Sequence, residues 1–204
     1  MANLQAVYTV GESLATYLGQ AYATLQQSPP PNVELPACEF KLFSSNDFDL
    51  MEEPDTNTLS LFLYRVTINE HLRNHRRLEP QPGSFQVPLS LNLHYLLTVW
   101  TTAASAEHVI LAWTMRQLQM HPVLDRALFQ MLDPTWGAEE QVHMVPAEVS
   151  HEDMMRIWDA LKPSYHLSVA YVARVVQVDA DPEPLAGPPV IATRLSYQDQ
   201  GVTP

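Results

Sequence analysis

Residues 88–100 read PLSLNLHYLLTVW, and this stretch decides the fold. Leu89, Leu91, Leu93, Tyr95, Leu97 and Val99 hold the odd positions, while Ser90, Asn92, His94 and Thr98 hold even ones. That period of two marks a strand with one dry face. The even face is mixed, because Leu96 and Trp100 share it with Asn92 and His94. Three uses fit such a face: a catalytic surface, a metal site, or a surface for another protein.

Working outward, residues 80–104 contain no Asp, Glu, Lys or Arg, which invites a membrane-span reading. Pro82, Gly83 and Pro88 interrupt it, and its alternating polar groups would be unsatisfied in lipid, so a strand outside the membrane is expected. The segment before it, TLSLFLYRVTIN, is apolar on both faces over residues 59–62, as suits a central strand. The segment YHLSVAYVARVVQVD places Leu167, Val169, Tyr171, Ala173 and Val175 on one side of a long strand expected to pair near the opening one. Short strands are expected at 39–43 and within VHMVPAEV.

Three helices are expected between these strands. Residues 3–27 space Leu4, Val7, Tyr8, Gly11, Leu14, Ala15, Leu18, Tyr22 and Leu25 along one helical face, with a nearly uncharged opposite face, and SPPPN then ends the run. SAEHVILAWTMRQLQMHP begins with Ser105 as N-cap and stops at Pro122. SHEDMMRIWDALK opens with Ser150 and Asp153, an S-x-x-D start resembling a capping box. NDFDLMEEPDTN reads as an acidic loop, and HPVLDRALFQMLDPTWG as a short turn or irregular stretch.

The pattern predicts an α+β fold: a mixed, mainly antiparallel sheet of about four to five strands, with three helices packed mostly on one face. One domain over residues 1–178 accommodates these elements, and 179–204 form a proline-rich C-terminal arm.

Composition narrows the function. A formal net charge of −12 from 23 acidic and 11 basic residues opposes binding to a phosphate backbone, so no nucleic-acid partner is expected. The N-terminal residues lack the charged start and unbroken apolar core of a signal peptide. The single Cys38 cannot form an internal disulfide, which suits a reducing compartment, and adjacent Glu39 disfavours its thiolate. His71 and His75 are four apart, but Leu72 stands where a zincin needs glutamate, and no metal is expected. No G-x-S-x-G elbow or glycine-rich phosphate loop occurs, so no catalytic residue and no cofactor are assigned. RNHRR at 73–77 concentrates Arg73, Arg76 and Arg77. It is too small for a nucleic-acid patch against this acidic background, and fits either a solvated loop or a docking patch for an acidic neighbour.

Taken together, YRVTINEHLRNHRR, PLSLNLHYLLTVW, AEHVILAWTMRQLQMHPVL and MMRIWDALKPSYHLSVAYVARVV resemble, in order and spacing over residues 4–178, the tail terminator or cap family of phage-tail-like extracellular contractile injection systems. Asn92 stands where members often carry an acidic residue. The resemblance implies a non-enzymatic assembly protein forming a homo-oligomeric, sixfold ring on the last ring of the inner tube and sheath, distal to the baseplate. Its implied partners are the tube and sheath proteins, with no membrane involved. Its implied location is the cytoplasm during assembly, then a released extracellular particle. A soluble assembly chaperone for tube or sheath subunits, or an enzyme of unknown class, are the alternatives. On the ring reading, Asn92 and His94 are hydrogen-bonding groups under a helix or at a subunit face, the plain alternative for His94 being a buried, satisfied side chain. Val190, Ile191 and Thr193 in PPVIATRLSY belong to a strand-prone segment behind a proline pair, expected to add a strand to an exposed edge of a neighbour, the alternative being the edge of its own sheet.

Overall fold

The computed structural model describes residues 4–31, 33–50, 56–70, 89–124, 126–130, 132, 136 and 141–178. In chain order the elements are α1 (Ala6–Gln27), β1 (Glu39–Phe43), α2 (Ser45–Leu50), β2 (Thr58–Ile68), β3 (Leu89–Trp100), α3 (Ala104–Met120), β4 (Val123–Leu124), α4 (Arg126–Gln130), β5 (Val142–Pro146), α5 (His151–Asp159) and β6 (Ser168–Val178). The strands form one sheet in the order β1-β2-β3-β6-β5-β4. β1 runs parallel to β2, and the other pairs are antiparallel. The expected α+β class and mainly antiparallel sheet therefore hold.

The opening strand lies at the centre, between β2 and β6. Its odd face is dry, as its period predicts: Leu91, Leu93, Tyr95, Leu97 and Val99 join Leu14, Leu18 and Tyr22 of α1 and Ile110, Trp113 and Leu118 of α3 in one core. Burying each such large apolar side chain contributes about 1.5–3 kcal/mol. Gly11 is what lets α1 lie close, since a Cβ there would meet Leu42 Cδ1 at 2.7 Å and Tyr95 Oη at 3.2 Å.

Four expectations change. Six strands and five helices are present among the described residues, because β4, α2 and α4 have two, six and five residues, too few to show a period. Helices cover both faces: α2 and α5 lie on the even face, where Phe48, Leu96, Trp100, Trp158 and Ala170 form a second core. The presumed acidic loop starts as α2 because Ser44 and Asp47 repeat the S-x-x-D start, Ser44 donating to Asp47 Oδ2 from its backbone N–H at 2.6 Å and its hydroxyl at 2.7 Å. α3 starts two residues earlier than expected, with Ala103 as N-cap and Ser105 inside the first turn.

Two details of the core also shift. Leu4 and Tyr8 of the predicted α1 face are 84% and 60% exposed, their places being taken by Ala6 and Val10. In β6, Val176 occupies the core position expected for Val175, because an irregularity sets two β6 residues, Arg174 and Val175, opposite Asn92 alone. By contrast, the start of α5 is as expected, with Asp153 N–H donating to Ser150 Oγ at 3.1 Å.

Candidate protein interface on the open half of the sheet

The even face of β3 is two surfaces in series. From Leu96 to Trp100 it lies beneath α2 and α5. From Asn92 to His94 it opens into a cleft of about 700 Å³, floored by Tyr64, Arg65, His94, Val172 and Arg174 and walled on one side by α5.

Register explains the floor. His94 pairs with Arg65 on β2 and Val172 on β6. The β2 register slips between Leu63 and Arg65, which brings Tyr64 and Arg65 successively onto the even face, and the β6 irregularity does the same beside Arg174. Such bulges re-aim side chains and recur next to functional sites. Both arginines are exposed.

The polar groups of β3 are held in place. Thr67 Oγ1 and His94 Nε2 share a hydrogen bond of 3.0 Å, and Asn69 Nδ2 donates to Asn92 Oδ1 at 3.2 Å. The Tyr64 ring meets the His94 ring edge-on, with centroids 6.0 Å apart. Burial lowers the His94 pKa first, and the guanidiniums of Arg65 and Arg174 lower it further, so the imidazole is neutral at pH 7. On the wall, Arg156 is paired with Glu152, and Asp153 accepts from Ser150.

The cleft thus presents a cationic, hydrogen-bonded floor. His94 is half-buried and hydrogen-bonded in the floor of the cleft, with no helix above it among the described residues. Cys38 is a poor nucleophile, its thiol pushed up to about 12 chiefly by burial, with Glu39 adding to the effect. Among the described residues no group of His, Cys, Asp and Glu could hold a metal ion, and no helix is long and apolar enough to cross a membrane. Arg73, Arg76, Arg77, Val190, Ile191 and Thr193 lie outside the described residues, as does the arm of 179–204. Arg65 and Arg174 escaped the sequence reading. Their signal was the polar half of the β3 even face, but extending it to neighbouring strands needs both the pairing and the two bulges.

No curated protein matches the chain by sequence. The family model for the Pvc16 N-terminal domain matches residues 9–192. The chain belongs to this family. Two solved structures share the fold of this Pvc16 N-terminal domain. One is the sheath/tube terminator of an extracellular contractile injection system, PVC, in its extended state, with a TM-score of 0.53 and 14% identity over 95% of this chain. The other is the tube-terminating cap of the anti-feeding prophage, with a TM-score of 0.53 and 15% identity over 91% of this chain. The chain spans 64% and 60% of the lengths of those proteins.

Proposed function

We propose that this chain is a structural assembly protein: a ring-forming cap that terminates the inner tube and sheath of a phage-tail-like contractile injection particle at the end distal to the baseplate. The observation that carries this reading is the family match over residues 9–192. A terminator must offer a surface on which a neighbour can dock, and the open half of the even face, rigidly backed by the central strands, is suited to that task. Ring closure uses heterologous contacts, in which different patches of successive subunits meet and rotation closes the circle. Six copies make the ring in this proposal, the tube and sheath proteins are its partners, and its role involves no turnover. It assembles in the cytoplasm and leaves with the particle, without a membrane stage.

Residues 1–178 form the cap domain and 179–204 the arm. Val190, Ile191 and Thr193 supply a strand for a neighbour's edge, for which β1, with five residues against two in β4, is the longer candidate. Arg73, Arg76 and Arg77 dock an acidic neighbour.

Labelled protein located by electron microscopy on purified particles tests the function. Label at one end, with unregulated tube and sheath length when the chain is deleted, is the expected result. Absence from particles that still need the protein for assembly would identify a chaperone instead.

A further inference from the structure

Arg65 and Arg174 are exposed on the floor of the cleft, and among the described residues neither forms an ion pair. The charged groups on the walls are engaged elsewhere or out of reach. Arg156 is held by Glu152 and Asp153 accepts from Ser150, while Glu148 lines the cleft without reaching ion-pair distance of either guanidinium. Both guanidiniums lower the pKa of one ring, that of His94, so their charges converge there and are not spread along the sheet.

The chain leaves the sheet beside this floor. β6 ends at Val178, four residues past Arg174 on the same strand, or ~13 Å at roughly 3.3 Å per residue. The residues that follow, 179–184, read DADPEP, with Asp179, Asp181 and Glu183 at alternate positions and no Lys or Arg before Arg194. Prolines keep this segment out of the β3 ladder. Val178 pairs with Leu89, the first residue of β3, and Pro88 precedes it, while Pro182 and Pro184 lack the N–H that a ladder needs. A residue before a proline is biased to extended backbone, which applies to Asp181 and Glu183. Extended backbone points alternate side chains to one side, so the three carboxylates share a side. Such a segment spans up to ~17 Å over residues 179–183, enough to turn back from Val178 to Arg174.

We propose that the acidic root of the arm, Asp179 to Glu183, folds back onto the Arg65–Arg174 floor of its own subunit. Two guanidiniums and three carboxylates are complementary in charge, and planar guanidiniums bind carboxylates through parallel N–H donors. Tethering favours the chain's own root over that of a second copy. A short linker holds the acids at a high effective concentration, whereas free copies of net charge −12 repel one another. The contact lies within one subunit and stands whether or not rings form. On the ring reading, a seated root fixes the side from which Val190, Ile191 and Thr193 leave for a neighbour.

Two measurements on the full chain decide it. With Cys38 replaced by Ser, a chain carrying Ala180→Cys and Glu148→Cys is treated at high dilution with a short bismaleimide, which leaves both arginines and all three root acids intact. The expected product joins the two cysteines within one chain. Its rate of formation should fall about fivefold in R65Q/R174Q, the scale of one or two exposed ion pairs, and should fall in high salt as well. D179N/D181N/E183Q should show the same loss without altering the floor. Reversing both sides together, R65E/R174E with D179K/D181K/E183K, should restore the link. The second measurement follows the His94 ring by NMR. D179N/D181N/E183Q should move its titration midpoint further down, because the carboxylates that offset the two guanidiniums are gone. A circular dichroism melt shows that the variants are folded, and the acid-side variant carries the test if R65Q/R174Q does not fold. The proposal falls if the link is insensitive to these changes, if the product joins only different chains, or if R73Q/R76Q/R77Q abolishes the link while R65Q/R174Q does not. An unmoved His94 midpoint in D179N/D181N/E183Q also overturns it.

Discussion

Leu96 and His94 are neighbours on the same face of β3, yet the surfaces they belong to differ in construction. Around Leu96 the face is roofed: the Trp100 ring lies 5.8 Å from Phe48, 6.0 Å from Trp158 and 4.5 Å from His166, and its N–H donates to Ser60 Oγ at 2.8 Å. Around His94 the face is floored by Arg65 and Arg174, and among the described residues nothing roofs it. Polarity alone does not separate them, since the roofed half includes the Thr98 and Ser168 hydroxyls, 2.8 Å apart and satisfying each other. What separates them is whether the polar groups can be completed within the chain. Hydroxyls can pair and be covered, whereas two guanidiniums with no ion-pair partner among the described residues stay in water or meet another molecule.

The largest test removes the centre of the roofed half. Trp100→Ala should cost about 3–5 kcal/mol, as large-to-small changes in aromatic cores do, with the Ser60 hydroxyl losing its donor as well. His94→Ala should cost under about 1 kcal/mol, within the range for changes away from a packed core. Urea unfolding followed by circular dichroism measures both. Equal losses would mean that the two halves are packed alike and would break the distinction.

A smaller perturbation asks whether the roof is a separate cooperative unit. Ser150 caps α5, and Ser150→Ala should destabilise by about 1 kcal/mol. Hydrogen exchange should show the loss of protection in α5 and near Trp100, with the amides of β2 and β3 beside His94 unchanged. Loss spread evenly over both halves would show that α5 supports the whole face.

The sequence made the roofed half more legible than the open one. The period of β3, the apolar run of β2 and the cap at Ser150 are local signals, and each led to the observed element. α2, the other helix on the even face, was missed for a local reason too. Among the described side chains of α2 the buried one is Phe48, whose partners Phe43, Phe62 and Trp100 come from three strands, so this anchoring exists only after the sheet forms. The capping pair Ser44 and Asp47 was available as a signal, since it repeats the Ser150 and Asp153 pattern that did identify α5. The cleft was not legible, because Arg65 and Arg174 lie 109 positions apart and meet on one face only through two register slips. Alternation projected along either strand places side chains beyond its bulge on the wrong face.

The smallest expected effect concerns acid. Folding lowers the His94 pKa below its ordinary value near 6.5, so the unfolded chain binds more protons than the folded chain in the window beneath that value. Stability contributed by neutral His94 is thus fully present above pH 6.5 and declines as pH falls through the folded pKa, below which the penalty is constant. His94→Gln should flatten this part of the acid limb while leaving stability near pH 8 almost unchanged, as read by unfolding midpoints at a series of pH values. The two causes can then be separated by following the His94 ring in an NMR titration of R65Q/R174Q. Burial is the larger cause, so the double variant should recover only part of the displacement. A full return to the ordinary value would assign the shift to the guanidiniums alone and make the floor more open to water than its packing against Tyr64 and Thr67 implies. No change would mean that solvent already screens both arginines from the ring, and the floor would then be a weak attractor for any anion.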